Sequence, residues 1–205
     1  MKNLHYGSRR SFVKKSTLAS AALISAPMFA ESIVNTSVGK KLKIALVGCG
    51  GRGSGAAVQA LRADDNVELV AMADAFRDRI DKSLKAIEEE IGTKKINVKE
   101  KNKFAGFNAY KKAIDMADVI ILTTPPGFRP YHFQYAISQD KHVFMEKPLA
   151  TDAIGVRKVL KTAKLAKEKK LNVVVGLQRH YETKYLELKK MVDNGKIGKI
   201  RGGQV

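Results

Sequence analysis

The chain has 205 residues and carries 38 Lys+Arg against 20 Asp+Glu, which gives a formal net charge of +18 at pH 7. Its single Cys excludes an internal disulfide and a zinc ribbon or finger. Its composition, 44% apolar and 28% charged, excludes a disordered tail or a collagen. No apolar run reaches the roughly 20 residues that a membrane-spanning helix needs, which excludes a protein with several spans.

Residues 1–30 have the layout of an export signal. Five Lys and Arg residues and no acid accompany a mildly apolar stretch that is rich in Ala and Ser and ends in small residues. Residues 8–14 (SRRSFVK) resemble a twin-arginine signal. We therefore predict export by the twin-arginine machinery to the periplasm or another extracytoplasmic space. Cleavage is expected between Ala26 and Ala30, with no stable membrane span afterwards. An amphipathic first helix of the fold is the alternative.

The chain beyond the signal remains basic, yet its lysines are spread over every segment. No arginine cluster interleaves with aromatic residues, and no nucleic-acid motif occurs. The basic residues between 157 and 167 follow a helical spacing, which is typical of a solvated helix face. We therefore predict no nucleic-acid partner.

From residue 41 onward, short apolar runs alternate with amphipathic stretches. Strands are predicted at 41–48, 67–73, 118–124, 141–145 and 172–177, with a short strand near Phe104 and the start of another at Ile200. Helices are predicted at 53–63, 77–91, 109–115, 130–138, 151–170 and 182–194. This alternation predicts an α/β fold, a doubly wound parallel sheet of the Rossmann type.

A glycine-rich turn joins the first strand to the first helix. Residues 48–53 (GCGGRG) match G-x-G-x-x-G in the position that the dinucleotide fingerprint requires. Gly48 permits the tight turn, Gly50 lets a pyrophosphate approach the backbone, and Gly53 lets the helix pack close to the strand. The free N–H groups and the dipole at the start of that helix hold phosphates. The predicted phosphate-binding residues are Gly48, Gly50, Gly51, Arg52 and Gly53.

An acidic residue ends the second strand. Asp74 stands 21 residues after Gly53, where a carboxylate accepts hydrogen bonds from the adenosine ribose. Its charge repels a 2′-phosphate and so favours NAD over NADP, although Arg77 and Arg79 soften this preference. Cys49 is interpreted as a small residue beside the cofactor, with a reactive thiol as the alternative.

Two further segments follow predicted strands at the edge where doubly wound folds bind ligands. Residues 123–126 (TTPP) follow one strand and precede His132, and residues 146–148 (EKP) follow the next. Lys147 can hydrogen-bond a substrate hydroxyl and stabilise a developing alkoxide. A surface salt bridge is the alternative role of Lys147.

Together these features resemble the glucose–fructose oxidoreductase, inositol dehydrogenase and rhizopine-catabolism family (Gfo/Idh/MocA). The residues that carry the resemblance are GCGGRG at 48–53, Asp74, TTPP at 123–126 with His132, and MEKPLA at 145–150, supported by VVGLQRHY at 174–181 and DNGKIGKI at 193–200.

The resemblance implies an NAD(P)-dependent oxidoreductase that acts on a sugar, a polyol or a related hydroxylated compound. It implies that Lys147 contacts substrate and nicotinamide as a catalytic residue, and that Arg179 and His180 face the substrate. A structural role is the alternative for His132 and for His180. No metal site is predicted. The residues added to the cofactor site are Thr124, Pro125, His132, Glu146 and Lys147.

The resemblance also implies a second α/β domain, which supplies a His as general acid/base and through which family members associate. We therefore expect an export signal at 1–30, a Rossmann domain at 38–177, and only the beginning of the second domain at 178–205. These residues alone are expected to be inactive, and the full-length protein is expected to form a homo-oligomer.

Two alternatives to a sugar oxidoreductase stay open. One is an NAD-dependent glycoside hydrolase or lyase on the same scaffold, and the other is a non-catalytic nucleotide-binding remnant. Because free NAD is scarce outside the cytoplasm, an exported enzyme is expected to retain its NAD and recycle it. The E-K-P sequence argues for the dehydrogenase, since the exported glycosidase branch tends to depart from it.

Overall fold

A six-stranded parallel sheet forms the centre of the computed structural model, which describes residues 41–203. The predicted export signal lies outside these residues. The strands lie in the order β3-β2-β1-β4-β5-β6. Their bounds are Leu42–Val47 (β1), Val67–Asp74 (β2), Lys103–Ala105 (β3), Val119–Leu122 (β4), His142–Met145 (β5) and Val173–Val175 (β6).

Helices connect successive strands, and a further helix follows β6. Their bounds are Gly51–Ala63 (α1), Arg77–Ile91 (α2), Ala109–Asp115 (α3), Arg129–Ser138 (α4), Ala153–Glu168 (α5) and Thr183–Asp193 (α6). Short 3₁₀ turns occupy Glu100–Asn102 and Gln178–His180. Residues 41–203 contain no helix that is both long and apolar enough to span a bilayer.

Helices cover both faces of the sheet because the central strands are apolar on both sides. Along β1, Ile44 and Leu46 belong to one buried cluster, which includes Leu61 of α1 and Ile87 of α2. The alternate residues Ala45 and Val47 belong to a second cluster, which includes Ile114, Phe133 and Ile137 from α3 and α4. Alternation along a strand sends neighbouring side chains to opposite faces, so each face acquires its own core. The predicted doubly wound α/β fold is confirmed.

The order of the strands creates a crevice beside β1. The chain proceeds outward from β1 to β2 and β3, and then crosses back to place β4 on the other side of β1. Val47 at the end of β1 pairs with Ala73 on one side and with Leu122 on the other. Such a switch point, at the carboxyl ends of the strands, is where doubly wound sheets bind their ligands.

Most predicted elements are confirmed, and two of the helices, 77–91 and 109–115, have the predicted bounds. The helix predicted at 151–170 is shorter, because the Asp152 side chain accepts a hydrogen bond from the Gly155 N–H and caps a helix that begins at Ala153. The strand predicted from Ile200 is wrong for residues 200–203, which are exposed and form no strand. No neighbouring strand of residues 41–203 pairs with this segment.

Candidate functional site

A cavity of about 590 Å³ opens at the carboxyl ends of β1, β4 and β5 and brings most of the predicted cofactor site together. Three of the predicted cofactor residues do not line this cavity, namely Gly51, Gly53 and His132. Those that do line it are Gly48, Gly50, Arg52, Asp74, Thr124, Pro125, Glu146 and Lys147.

The glycine turn forms one wall of this cavity, and two of its glycines are required by packing. Gly48 has a φ of +100°, and a Cβ there would lie 2.6 Å from the Thr124 nitrogen. A Cβ on Gly53 would lie 2.0 Å from the Gly48 carbonyl oxygen. Only glycine fits at either position, because the turn packs against the Thr123-Thr124 backbone while α1 packs against the turn. The positive φ of Gly48 agrees with the tight turn predicted there, and the close contact at Gly53 agrees with the close helix packing predicted for that residue.

The other two glycines of the turn, Gly50 and Gly51, have open space beside them. A Cβ on Gly51 would have no neighbour within 4 Å, and one on Gly50 would meet only the Arg79 Nη1 at 4.0 Å. Gly50 is the N-cap of α1 and provides no side-chain cap, and the first turn of α1 has no acidic residue. An open, uncapped helix N-terminus at the edge of a cavity is suited to a phosphate group.

Asp74 is held with both carboxylate oxygens oriented by backbone donors. The Cys49 N–H donates to Oδ2 at 2.7 Å, and the Phe76 N–H donates to Oδ1 at 3.0 Å. The bond from Cys49 ties the end of β2 to the glycine turn, and the bond from Phe76 is local to the end of β2. Each carboxylate oxygen accepts more than one hydrogen bond, so the group can still bind a hydroxyl in the cavity that it lines.

Cys49 is buried beneath the same turn, and its Sγ lies 3.5 Å from the Ala73 carbonyl oxygen. Burial raises the pKa of the Cys49 thiol well above its ordinary value, and the charge of Asp74 raises it further. The thiol therefore stays protonated and is a poor nucleophile. This supports the interpretation of Cys49 as a packing residue over the alternative of a reactive thiol.

Arg129 organises the opposite wall, and the sequence analysis did not identify it. It is the largest fully buried side chain, with 2% of its surface exposed. Its Nη1 donates to the Glu146 carbonyl and, at 2.8 Å, to the Pro148 carbonyl, while Nη2 donates to the Thr124 carbonyl. Burial lowers the pKa of Arg129, and the charge of Glu146 opposes this effect. One guanidinium thus joins the T-T-P-P and E-K-P segments.

Glu146 connects that wall to the glycine turn. Its carboxylate accepts hydrogen bonds from Nε of Arg52, at 2.8 Å, and from Nη2 of the same residue. Glu146 is 5% exposed, whereas the Arg52 side chain is 50% exposed. A Cβ on Gly176 would lie 2.6 Å from Glu146 Oε1, so the residue that follows β6 is a glycine that leaves room for this carboxylate. Direct contact of Glu146 with the cofactor stays a prediction.

Lys147 is exposed and lines two cavities at once. Besides the main cavity it lines a neighbouring one of about 330 Å³, together with Gln178, Arg179 and His180. The structure thus brings Lys147 beside both residues that were predicted to face the substrate. Within residues 41–203 the Lys147 ammonium forms no salt bridge. The alternative role of Lys147, a surface salt bridge, therefore gains no support.

His132 lies behind the T-T-P-P segment, 6% exposed. Its Nδ1 hydrogen-bonds the Thr124 hydroxyl at 3.2 Å, and its ring stacks on Tyr110 with centroids 4.1 Å apart. Burial, and secondly the charge of Arg129, lowers the pKa of His132 to about 4. The imidazole is therefore neutral at pH 7, and these contacts favour the structural role that was the alternative for this residue.

A third cavity of about 240 Å³ adjoins His132 and shares Asp74, Thr124 and Pro125 with the main cavity. Four aromatic rings contribute to its walls, those of Phe76, Phe107, Tyr110 and Phe128. These rings could not be predicted from the sequence, because the residues that contribute them lie in three separate segments. An aromatic slot beside a carboxylate is suited to a flat heterocycle attached to a sugar.

Comparison with protein families identifies one match over most of the described chain. The model of an oxidoreductase family with an NAD-binding Rossmann fold (GFO_IDH_MocA) matches residues 42–177. The chain is 30% identical over 159 residues to an inositol 2-dehydrogenase of Salmonella typhimurium, a match that covers 77% of this chain and 43% of that protein. It is 38% identical over 81 residues to an inositol 2-dehydrogenase of Gluconacetobacter diazotrophicus, which covers 40% of this chain and 23% of that protein.

Solved structures are similar over the same region. The myo-inositol 2-dehydrogenase of Lactobacillus plantarum has a TM-score of 0.62 and 30% identity, over 78% of this chain and 43% of that one. The scyllo-inositol dehydrogenase of Lactobacillus casei, solved with bound NAD(H) and scyllo-inositol, has a TM-score of 0.59 and 24% identity, over 78% and 43% of the two chains. The second likeness concerns the fold alone. This chain spans less than half the length of each of these relatives.

Proposed function

This chain belongs to the Gfo/Idh/MocA family of oxidoreductases and contains its NAD-binding Rossmann domain, and from that premise we propose that the full-length protein oxidises a hydroxyl group of a sugar or polyol. The observation that carries the proposal is the cavity at the switch point. It places an open glycine turn and the Asp74 carboxylate together with an exposed lysine, Lys147. The inositol dehydrogenases among the relatives support a cyclic polyol or a sugar as the substrate.

Features of the described residues support the assignment of the pyrophosphate, the adenosine ribose and the adenine of NAD. The open side of Gly50 and the uncapped start of α1 suit the pyrophosphate. Asp74 suits the adenosine ribose, and its charge disfavours the extra phosphate of NADP. The aromatic cavity beside Asp74 suits the adenine. The resemblance implies that Lys147 contacts the nicotinamide, which we therefore assign to the other end of the main cavity. When bound, NAD supplies the acceptor for the hydride that leaves the substrate carbon.

The protein side of the reaction is assigned to Lys147 and its neighbours. The Lys147 ammonium donates a hydrogen bond to the substrate hydroxyl oxygen and stabilises the negative charge that grows there as the proton leaves. Arg179 and His180 line the adjoining cavity, where they bind other hydroxyl groups of the substrate. We assign acceptance of the hydroxyl proton to a His of the family's second domain, as the resemblance implies.

Export and a retained cofactor complete the proposal. The twin-arginine route carries folded proteins, so NAD is loaded before export and recycled within the site. Replacing both Arg9 and Arg10 by Lys is expected to hold the protein in the cytoplasm, and fractionation of cells that express it measures this. An unchanged distribution of the variant would contradict the export proposal and leave the catalytic one untouched.

The test of function uses the purified full-length protein. Denaturation is expected to release one equivalent of NAD, and incubation with inositols and sugars is expected to yield a keto compound. Lys147→Met should lower kcat by about 10³-fold, leaving a measurable residual rate, without reducing the NAD content. Asp74→Ser should reduce the NAD content and weaken the preference for NAD over NADP. Glycosidic cleavage without net oxidation would indicate the hydrolase or lyase instead. Absence of bound nucleotide, together with no thermal shift on adding NAD, would overturn the proposal.

A further inference from the structure

The two carbonyl groups that Arg129 binds in the E-K-P segment lie on either side of Lys147. The Nη1 atom donates to the carbonyl of Glu146, the residue before Lys147, and to the carbonyl of Pro148, the residue after it. The backbone of Lys147 is thus held on both sides by one nitrogen of a buried side chain. Nothing comparable holds the Lys147 side chain, which is exposed and forms no salt bridge within residues 41–203.

The same guanidinium also connects the segment that contains Lys147 to the rest of the cavity. Its Nη2 atom donates to the carbonyl of Thr124, and the Thr124 nitrogen packs directly on the glycine turn at Gly48. On the other side, the Glu146 carboxylate is bonded to Arg52 in the first turn of α1. The position of Lys147 is therefore defined relative to the turn through two routes, one of which passes through Arg129.

We propose that Arg129 is a positioning residue, which places Lys147 against the nicotinamide end of the NAD site. This inference rests on the proposed function for the role of Lys147. A planar guanidinium presents several donors in a rigid fork and can bind three carbonyls at once. The ammonium of a lysine is a compact group at the end of a flexible stem, so it cannot reproduce this arrangement. A lysine at position 129 would therefore retain the positive charge without holding the three carbonyl groups.

The test compares Arg129→Lys with Arg62→Lys in the full-length protein. Arg62 is a matched control because its guanidinium bonds Glu90 in an exposed pair far from the cavity. The first readout is the rate at which an amine-acylating reagent modifies Lys147, measured by mass spectrometry with and without saturating NAD. We expect NAD to protect Lys147 in the wild type and in R62K, and the protection to be lost in R129K. Equal protection in all three proteins would overturn the proposal.

The second readout is a double-mutant cycle on the oxidation of a polyol. R129K is expected to lower kcat by about 100-fold with little change in KM, which is the size of loss that misplacement by about 1 Å causes. In a Lys147→Met background, R129K is expected to cause no further loss, because the two residues act as a unit. Independent, additive losses would indicate a merely structural role. The labelling needs only NAD binding, so it decides the question even if no polyol is oxidised.

A third measurement covers the case in which R129K does not fold. In wild-type protein labelled with ¹⁵N-arginine, a guanidinium held on three carbonyls is expected to give separate, slowly exchanging Nη proton signals for Arg129. Rapidly exchanging, averaged signals would contradict the arrangement on which the proposal depends.

Discussion

The two walls of the NAD cavity are built in opposite ways. The glycine turn owes its shape to missing side chains, since a Cβ on Gly48 or Gly53 would collide with backbone atoms. The facing wall, made of the T-T-P-P and E-K-P segments, owes its shape to buried polar side chains. Arg129 is the central member of that wall, with Glu146 and His132 beside it.

This difference determines how each wall can fail. Gly48 and Gly53, which make the close backbone contacts of the first wall, do not tolerate an added methyl group, and they carry no side chain whose charge can change. A wall built on buried polar groups can be altered by removing a donor or by adding a proton, because a buried group without its partner is costly. Substitutions in the first wall and changes of pH in the second therefore test the comparison.

The largest effect is expected from Gly53→Ala. Its Cβ would lie 2.0 Å from the Gly48 carbonyl oxygen, so α1 has to move away from the turn. We expect a loss of about 3 kcal/mol or more in the free energy of unfolding, measured by urea denaturation. Gly55→Ala, in the same helix, is the control, because a Cβ there has no neighbour within 4 Å. It is expected to gain about 0.5–1 kcal/mol. Equal stability of the two variants would break the comparison.

A large effect of pH is expected from His132 in the facing wall. Its pKa falls from 6.5 to about 4 on folding, so below pH 6.5 the unfolded chain takes up a proton that the folded chain does not. The contribution of His132 to the free energy of unfolding is fully present above pH 6.5. It is lost as the pH falls towards 4, and the total loss is about 3 kcal/mol. The carboxyl pKa values of Asp65, Asp78 and Asp81 are lowered by neighbouring lysines, so their contributions to stability are lost only as the pH falls below about 5, at the acid end of this window.

Urea denaturation between pH 4.5 and 7.5 measures this contribution. His132→Gln is expected to flatten the pH dependence, whereas replacing the exposed His180 by Gln is expected to leave it unchanged. A pH dependence as steep in the His132 variant as in the wild type would show that this imidazole is not the titrating group.

A moderate effect confined to the cofactor is expected from Gly50→Ala. The space beside Gly50 is open, so the added methyl group meets no protein atom closer than 4.0 Å and stability should be preserved. The same methyl group would enter the proposed pyrophosphate site. We expect the dissociation constant of NAD, measured by calorimetry, to rise about tenfold or more. Unchanged affinity would place the pyrophosphate elsewhere.

The smallest effect is expected from Cys49, which fills space beneath the turn. Cys49→Ala removes one buried sulfur and its 3.5 Å contact with the Ala73 carbonyl, and we expect it to cost about 1 kcal/mol. Because the buried thiol stays protonated, iodoacetamide should label it only after denaturation, as judged by intact mass. Labelling of the native protein at the rate of a free cysteine would contradict its burial.

Much of the fold could be predicted from short stretches of sequence. The helix at 77–91 was predicted with its observed bounds, because its apolar stripe repeats within the helix itself. The turn at 48–53 was predicted because its glycines, the strand before it and the helix after it are consecutive. The segment at Ile200 shows the limit of this reasoning. An apolar residue after a glycine turn is typical of a strand, but a strand also needs a neighbour.

Arg129 could not be found in this way. In the sequence it stands between Phe128 and Pro130 at the start of a helix, and nothing there distinguishes it from a surface arginine. The carbonyl groups that it binds belong to Thr124, Glu146 and Pro148, which lie 5, 17 and 19 residues away along the chain. The Arg52–Glu146 pair spans 94 residues. Neither the hydrogen bonds of Arg129 nor the Arg52–Glu146 pair can be recognised from a short stretch of sequence.

The sequence by itself determined the alternating architecture, the glycine turn, the acid at the end of β2 and the family, because each depends on periodicity or on consecutive residues. Only the tertiary structure decided which polar side chains became buried partners and which stayed exposed. Arg129 and Glu146 are buried while Lys147 is free, although all three are polar residues close to the same edge of the sheet. Burial of a charge depends on the groups that the fold brings around it, and those groups come from distant segments of the chain.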